Sequence, residues 1–194
     1  MKDKLREIGL ETLRLILRKP EMNDWKKIYE IIDLPVIKNF FMPYPLKKKH
    51  VKYWIKDAIK DFGKNSYKFI IELKKEKLII GMIELKDIHN KDKISETSIW
   101  IGKKYFKKGY GTEAKIALNE FAFNKLKVRK LRSETMESNL RSNLLQKKFG
   151  YFLEGTKRRE HFNPVIKKYV NMNVYGLFKE DWKKNLPKLK RYIR

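Results

Sequence analysis

The sequence predicts an α/β fold built on one mixed β-sheet. Three patterns predict it: an alternating apolar segment near the start, a central series of strand-like segments joined by short polar turns, and amphipathic segments of helical spacing on either side of that series. A chain of 194 residues can bury one substantial core, so we expect residues 1–194 to form a single domain.

The first third of the chain is expected to contain one strand and two helices. Apolar residues alternate over residues 10–17 and predict a strand, which Pro20 ends. Asn23 and Asp24 can cap a helix that continues to about residue 32. The two prolines within residues 40–45 indicate an irregular loop. A second helix is expected over residues 48–62, where apolar residues recur on one face.

The remaining elements are expected in the order strand, strand, strand, helix, strand, helix, strand, strand. Their predicted bounds are residues 67–73, 78–88, 96–101, 111–125, 128–136, 141–149, 151–155 and 170–178. Residues 179–194 form a basic tail, for which Trp182 and Leu186 are the expected anchors.

The composition excludes several classes of function. The chain has no cysteine, which rules out disulfides and cysteine nucleophiles. Its three histidines, His50, His89 and His161, are far apart in the sequence, so we expect no metal site. No apolar stretch reaches the roughly 18 residues that a membrane span needs, and the first residues do not resemble a signal peptide. We therefore expect a soluble, cytoplasmic protein that does not bind membranes.

The formal net charge of the chain is +25. One interpretation is attraction to RNA, ribosomes or acidic ligands. The other is a general lysine bias, which the 38 lysines and 10 arginines favour, because phosphate recognition usually relies on arginine. Under either interpretation, cationic substrates such as polyamines are repelled at long range.

The segment over residues 99–114 carries the clearest functional signal. It leads from a strand through a loop into a helix, and Gly109 and Gly111 lie two residues apart at the junction. Glycines let backbone N–H groups turn toward one point, and a helix N-terminus adds unpaired donors and a positive dipole end. Lys107 and Lys108 add full charge. The pattern predicts a site for a phosphate or pyrophosphate.

This segment resembles the acetyl-CoA motif of GNAT N-acetyltransferases, from Glu96 through Trp100 to the run Gly109-Tyr110-Gly111-Thr112-Glu113-Ala114. Residues 10–18, 139–156 and 175–182 are similar to the subfamily that acetylates N-terminal amines of ribosomal proteins. The resemblance implies a single GNAT-type domain with a central, mixed, mostly antiparallel, splayed β-sheet flanked by helices. It also implies acetyl-CoA as the co-substrate and no metal.

The resemblance assigns binding roles to matching positions. Backbone groups of the strand before the loop would pair with the pantetheine arm, amides of the loop would hold the pyrophosphate, and the side chain of Asn139 would reach the cofactor. The expected cofactor-binding residues are Ile99, Trp100, Ile101, Phe106, Lys107, Lys108, Gly109, Tyr110, Gly111, Thr112 and Asn139.

Acetyl transfer to an amine needs a base and a way to stabilise the leaving thiolate. The resemblance indicates Glu160 as the base near the acceptor amine, with Glu96 as the second candidate and Glu84 as the third. Many GNAT enzymes have a tyrosine where this chain has Gln146, and glutamine cannot supply a titrating proton. Ser142 matches a serine of the subfamily and is the candidate that hydrogen-bonds the sulfur, unless it only caps a helix.

The function expected from these features is transfer of the acetyl group from acetyl-CoA to a primary amine by direct attack in a ternary complex. A protein N-terminal α-amine of the ribosomal-protein type is the favoured acceptor. The alternatives are a small-molecule amine acetyltransferase and a basic protein that binds RNA or a ribosome without turnover. The acceptor pocket is expected in the loops at residues 39–49 and 158–169. The apolar residues 40–42 serve either that pocket or a homodimer interface.

Overall fold

The computed structural model describes residues 9–40, 42–89 and 91–193. These residues form eight strands and six α-helices. In chain order the elements are β1 (Leu10–Glu11), β2 (Leu15–Arg18), α1 (Asp24–Ile31), α2 (Leu34–Asn39), α3 (Lys48–Asp61), β3 (Ser66–Leu73), β4 (Ile79–Lys86), β5 (Ile94–Ile101), α4 (Tyr110–Glu120), β6 (Lys130–Met136), α5 (Leu140–Phe149), β7 (Phe152–Asn163), β8 (Lys168–Phe178) and α6 (Lys179–Lys190).

The strands form one open sheet in the order β1-β2-β3-β4-β5-β6-β8-β7. All neighbours are antiparallel except β5 and β6, which are parallel. The predicted α/β class with a mixed, mostly antiparallel sheet is confirmed. The central strands, α3, α4 and α5 begin and end within a few residues of the predicted bounds, because their apolar periodicity is regular.

The first predicted strand is a hairpin of two strands. Leu10 pairs with Leu17 and Glu11 with Ile16. A tight turn separates the strands, because the Thr12 hydroxyl accepts a hydrogen bond from the amide of Leu15 at 2.9 Å. The alternation of apolar residues continues through this turn, and for that reason the pattern did not reveal it.

Two helices were not predicted. In α2 the Asp33 carboxylate accepts a hydrogen bond from the Val36 amide at 3.1 Å, and Pro35 lies in the first turn, where its missing N–H costs nothing. The basic tail begins as α6, which Trp182 anchors by complete burial, while Leu186 is partly buried. At α1, Asn23 precedes the helix but makes no side-chain capping bond, which corrects that detail.

The last hairpin is longer than expected. β7 continues to Asn163, so most of the predicted loop over residues 158–169 belongs to β7 and β8. The strand is exposed along most of its length and therefore lacks the apolar alternation by which strands are predicted. Of the apolar run at residues 40–42, Phe41 lies outside the described residues.

The sheet is splayed at its centre, as the resemblance implied. β5 and β6 pair only from Ile94 to Glu96, opposite Lys130 to Arg132, and then separate. Helices α1, α2 and α3 cover one face, where Ile70, Met82 and Trp100 point. Helices α4, α5 and α6 cover the other face. The gap between β5 and β6 therefore connects two differently lined halves of the molecule.

Candidate active site

A cleft of about 970 Å³ opens where β5 and β6 separate. Residues of β4, β5 and β6 line it, together with residues of α2, α3, α4 and α5 and the loop that precedes α4. All sequence-predicted site residues line this cleft except Lys108 and Glu160. The structure thus brings together residues that are far apart in the chain.

The loop before α4 has the shape of an anion cradle. Lys107 and Gly109 both have left-handed backbones, with φ of 62° and 82°, and α4 begins directly afterwards at Tyr110. The first amides of a helix have no partner within that helix, so they are free to bind a ligand. A Cβ atom at Gly111 would come no closer than 3.9 Å to Ile99 and Ile101. The fold itself therefore tolerates a side chain at residue 111, and the space beside it suits a ligand.

A buried carboxylate fixes this loop to the first hairpin. Glu113 is fully buried and accepts hydrogen bonds from the Thr12 hydroxyl at 2.6 Å and from the Arg14 amide and guanidinium at 2.8 and 2.7 Å. Arg14 also donates to the carbonyl oxygen of Lys108 at 3.0 Å. Lys108 contributes its carbonyl oxygen to this anchor and does not line the cleft. The anchoring role of Glu113 was not predicted from the sequence.

Asn139 caps α5 at the edge of the cleft. Its Oδ1 accepts a hydrogen bond from the amide of Ser142 at 3.2 Å. The capping function that was weighed for Ser142 therefore belongs to Asn139, and the Ser142 side chain lines the cleft. The buried Asn143 holds this turn in place, because its Nδ2 donates to the carbonyl oxygens of Met136 and Asn139 at 3.0 and 2.8 Å.

Two further cations line the end of the cleft beside the loop that precedes α4. The guanidinium of Arg141 stacks on Phe106, with its carbon 3.7 Å from the ring centroid. Lys148 reaches the hydroxyl of Thr112 at 3.5 Å. Both line the cleft. Neither stood out in the sequence, because 48 lysines and arginines make any single cation uninformative.

A lysine lies at the floor of the cleft. Lys115 on α4 is 1% exposed, and its ammonium donates to Oε1 of Gln146 at 2.7 Å. Burial lowers the pKa of Lys115 to about 7. Sequence reasoning missed this residue, although a lysine between the inward-facing Ala114 and Leu118 was the available signal.

Glu84 is the carboxylate buried on the opposite face of the sheet. It is 8% exposed, lines the cleft and accepts a hydrogen bond from Ser98 at 3.2 Å. Burial raises its pKa, while Lys86 and Lys68, at 3.6 and 3.7 Å, act in the opposite direction. Among the described residues, its Oε1 has no hydrogen-bond partner.

The other two carboxylates differ in position. Glu96 lines the cleft on β5 but is about one third exposed, and it lies 3.8 Å from the ammonium of Lys86. Glu160 lies on β7, half exposed, 3.6 Å from Lys157 and outside the cleft. Two register shifts interrupt the pairing of β7 with β8, and Glu160 lies within the second of them, between Lys157 and His161.

Aromatic side chains enclose the half of the cleft beside Glu84. Trp54 lies between Phe40 and Trp100, with ring centroids 6.4 and 6.1 Å apart. The indole Nε1 of Trp100 is buried without a hydrogen-bond partner among the described residues. This half, with apolar residues of α2 and α3, forms an aromatic compartment beside Glu84.

The splayed sheet, the anion cradle and the cleft that joins them are the features that the resemblance to GNAT N-acetyltransferases implied. The chain belongs to the acetyltransferase (GNAT) domain family, which matches residues 14–151. It is 24% identical over 173 residues to the uncharacterized N-acetyltransferase YnaD of Bacillus subtilis (strain 168), covering 89% of this chain and 98% of that protein.

Solved structures share the fold. The microcin C7 self-immunity acetyltransferase MccE, solved in complex with acetyl-CoA and AMP, has a TM-score of 0.75 at 18% identity, covering 86% of this chain and 93% of that one. RimL, a ribosomal L7/L12 alpha-N-protein acetyltransferase, has a TM-score of 0.79 at 13% identity, covering 89% and 94%. The chain is thus a GNAT acetyltransferase, for which acetyl-CoA is the implied donor and an amine the implied acceptor.

The described residues fit acetyl-CoA. The left-handed turn, the open space at Gly111 and the free N-terminus of α4 suit its pyrophosphate. Beyond Glu96, no described strand lies beside β5 on the β6 side, which leaves room for an extended arm. Within residues 9–40, 42–89 and 91–193, no cluster of three or more histidine or acidic side chains could hold a metal ion. In the same residues, no helix has the length and apolar character to cross a bilayer.

Proposed function

We propose that this acetyltransferase transfers the acetyl group of acetyl-CoA directly to a protein N-terminal α-amine. The observation that carries the proposal is one continuous cleft with an anion cradle at one end and a buried carboxylate in an aromatic compartment at the other. Such a cleft holds both substrates at once, which direct attack in a ternary complex requires.

The cofactor half binds the donor through the residues of the cradle. The amides from Lys107 to Thr112 hold the pyrophosphate, and Lys107, Arg141 and Lys148 add charge. The expected contribution of the Phe106 amide is corrected, because that amide donates to the carbonyl oxygen of Lys103 at 3.1 Å. The free edge of β5 from Ile99 to Ile101 pairs with the extended arm, and Asn139 and Ser142 lie beside it. Acetyl-CoA, when bound, supplies an activated acetyl thioester.

The acceptor half binds and deprotonates the amine. Glu84 accepts the proton from the attacking nitrogen, in place of Glu160, which is too far out on β7, and ahead of the more solvated Glu96. A carboxylate with a raised pKa is a stronger base than an exposed one. An α-amine, with a reference pKa near 8, needs less assistance from a base than a lysine amine, whose pKa is about 10.4.

Two further features support a protein N-terminus as the acceptor. The aromatic compartment suits a small or apolar first residue, and the lysines around it favour acidic sequence beyond that residue. RimL, named for acetylating a ribosomal protein, has a similar fold, which is compatible with this acceptor. A small-molecule amine is the second candidate, which the enclosure of the compartment by Phe40, Trp54 and Trp100 favours. Binding to RNA or ribosomes, and a homodimer, stay predictions.

The donor site is tested by thermal unfolding with and without acetyl-CoA. A ligand at about a hundredfold excess over its Kd adds roughly 2.7 kcal/mol of stability. We expect Gly111→Glu to abolish the shift in unfolding midpoint, because the carboxylate fills the space beside Ile99 and Ile101. Gly155→Glu is the matched control, because a Cβ atom at Gly155 meets nothing within 4 Å and this residue lies outside the cleft. No shift for the unaltered chain contradicts the proposal.

The acceptor is tested with paired peptides. One set has free α-amines and no lysine, and the matched set has acetylated α-amines and one internal lysine. Turnover of the first set alone supports the proposal, and turnover of small amines alone supports the second candidate. Acetylation of the protein itself by acetyl-CoA without an acceptor, detected by intact mass, contradicts direct attack.

A further inference from the structure

One buried ionisable group of the cleft has no role in the function proposed above. Lys115 lines the floor of the cleft at 1% exposure. Its ammonium donates to Gln146, whose amide nitrogen in turn donates to the hydroxyl of Ser133 at 2.9 Å. The side chain is therefore held in a fixed position by a hydrogen-bonded chain that ends on β6.

This chain lies where the sheet divides. Glu96 and Arg132 form the last paired position of β5 and β6, so Thr97 and Ser133 are the first residues beyond it. Ser133 anchors Gln146, and Thr97 lies 3.3 Å from the hydroxyl of Tyr151. The ammonium of Lys115 lies 4.5 Å above the ring of Tyr151. Residues from both diverging strands thus hold the amine at the base of the gap.

In the part of the chain that the structure describes, uncharged groups surround the ammonium of Lys115. The groups that face it are Gln146 and Phe149 of α5, the Tyr151 ring and, on β6, Ser133 through Gln146. Burial raises the pKa of Tyr151, so that phenol stays neutral. Among the described residues no carboxylate pairs with Lys115. A buried cation without a counter-charge destabilises the fold, so its presence in a cleft calls for a function.

We propose that the ammonium of Lys115 donates the proton that the departing thiolate of CoA takes up. The proposal rests on the acetyl transfer proposed above. In that step the amine nitrogen forms a bond to the acetyl carbon and the carbon–sulfur bond breaks. The electron pair of that bond goes to sulfur, which receives the proton of Lys115. Glu84 takes the proton of the amine, and solvent restores both groups between turnovers.

The position of Lys115 separates the two proton transfers. Glu84 and its partner Ser98 lie on the face covered by α1–α3, whereas Thr97 and Lys115 lie on the face covered by α4–α6. Successive side chains of a strand point to opposite faces. The attacking nitrogen and the leaving sulfur therefore meet different ionisable groups on the two sides of the gap, and neither group neutralises the other.

The first test does not depend on an acceptor. Free CoA is added to the protein, and the ionisation of its bound thiol is followed against pH by the ultraviolet absorbance of the thiolate. An unperturbed thiol has a pKa near 8.5. The thiol and the Lys115 amine titrate as a coupled pair that shares a proton, so we expect a lowered apparent pKa of thiolate formation in the unaltered protein and a return toward the free value in Lys115→Met. Lys183→Met, at an exposed lysine outside the cleft, is the control and keeps the lowered pKa. An unchanged pKa in Lys115→Met overturns the proposal.

The second test uses the pH dependence of turnover with a free-amine peptide. A proton donor whose pKa is about 7 in the free enzyme gives an alkaline decline in kcat/KM. We expect Lys115→Met to lower kcat about 10²-fold or more and to lose that decline. Gln146→Glu places a carboxylate against the ammonium, so the decline moves to higher pH. Acetylation of Lys115 itself, seen by mass spectrometry, overturns the proposal. If acetyl-CoA does not shift the unfolding midpoint of the unaltered protein, the result instead contradicts the acetyl transfer on which this proposal rests.

Discussion

The two sides of the cleft each bury one ionisable group but surround it differently. On the α1–α3 side, Glu84 lies between two lysines and keeps one oxygen without a hydrogen-bond partner among the described residues. On the α4–α6 side, Lys115 has only uncharged partners. Burial raises the pKa of the acid and lowers that of the base, so both move toward neutrality. The comparison indicates a division in which one side accepts protons and the other donates them.

The largest expected effect tests the accepting side. Glu84→Gln keeps the size of the side chain but removes the base, so we expect kcat to fall about 10²- to 10⁴-fold. The acetyl-CoA thermal shift should persist, because Glu84 lies away from the cradle. In the unaltered enzyme kcat/KM rises with pH through the raised pKa of Glu84, and this acidic limb disappears in the variant.

Glu96→Gln is the matched control, since it changes the more solvated carboxylate of the same cleft. We expect it to lower kcat less than tenfold, as estimated for a group that does not take part in proton transfer. A larger loss for Glu96→Gln than for Glu84→Gln would reverse the assignment of the two residues.

The second prediction concerns the anchor of the α4 side. Glu113→Ala leaves the guanidinium of Arg14 without its buried partner, and such losses cost about 3 kcal/mol where one partner is partly exposed. At this chain length that corresponds to a fall of roughly 10 °C in the unfolding midpoint. Glu30→Ala breaks the exposed pair with Lys27 and should change the midpoint by only about 1 °C. Equal shifts for the two variants would contradict the anchoring role.

The same two regions show how far the sequence predicted the fold. Strands β3, β4 and β5 and helices α3 and α4 were predicted because each buries a regular apolar face. The turn between β1 and β2 was missed because Thr12 makes it by hydrogen bonds within an unbroken alternation. β7 was predicted only over residues 151–155, because the exposed continuation of this edge strand to Asn163 has no apolar alternation.

The cofactor half of the cleft was predictable, since its contacts come from one contiguous glycine-containing segment. The two ionisable residues could not be ranked from the sequence. The side chain of Glu84 is less exposed to solvent than those of Glu96 and Glu160, and only tertiary packing sets this difference. Lys115 becomes distinctive only when α5 brings Gln146 against it. Local patterns thus predict where backbone binds a ligand, and long-range packing decides which side chain titrates.

The third prediction tests the donating side through stability. The folded pKa of Lys115 is about 7, below the unfolded value near 10.4. The unfolded chain therefore binds more protons than the folded protein between these two pH values. Buried Lys115 destabilises the fold most at the low end of this window, and the destabilisation diminishes as pH rises. Lys115→Met should raise the unfolding midpoint by several degrees at pH 7, and the gain should shrink toward pH 10. Lys183→Met, at an exposed lysine, is the control and should show no such pH dependence. A gain that is independent of pH would show that Lys115 is not the titrating group.

The smallest expected effect concerns Arg141, which lies at the solvent-exposed rim of the cleft and belongs to neither of the two buried sites. Arg141 stacks on Phe106 at the cradle and is exposed to solvent. Its charge is therefore screened, and we expect Arg141→Met to weaken acetyl-CoA binding about three- to tenfold at low salt, equivalent to roughly 1 kcal/mol. The difference from the unaltered protein, measured by calorimetry, should diminish as salt rises, whereas the effect of Lys115→Met on the bound thiol should not. Screening distinguishes the two cations because water reaches one and not the other. A salt-independent loss for Arg141→Met would place its guanidinium in the buried part of the site and remove the distinction between rim and floor.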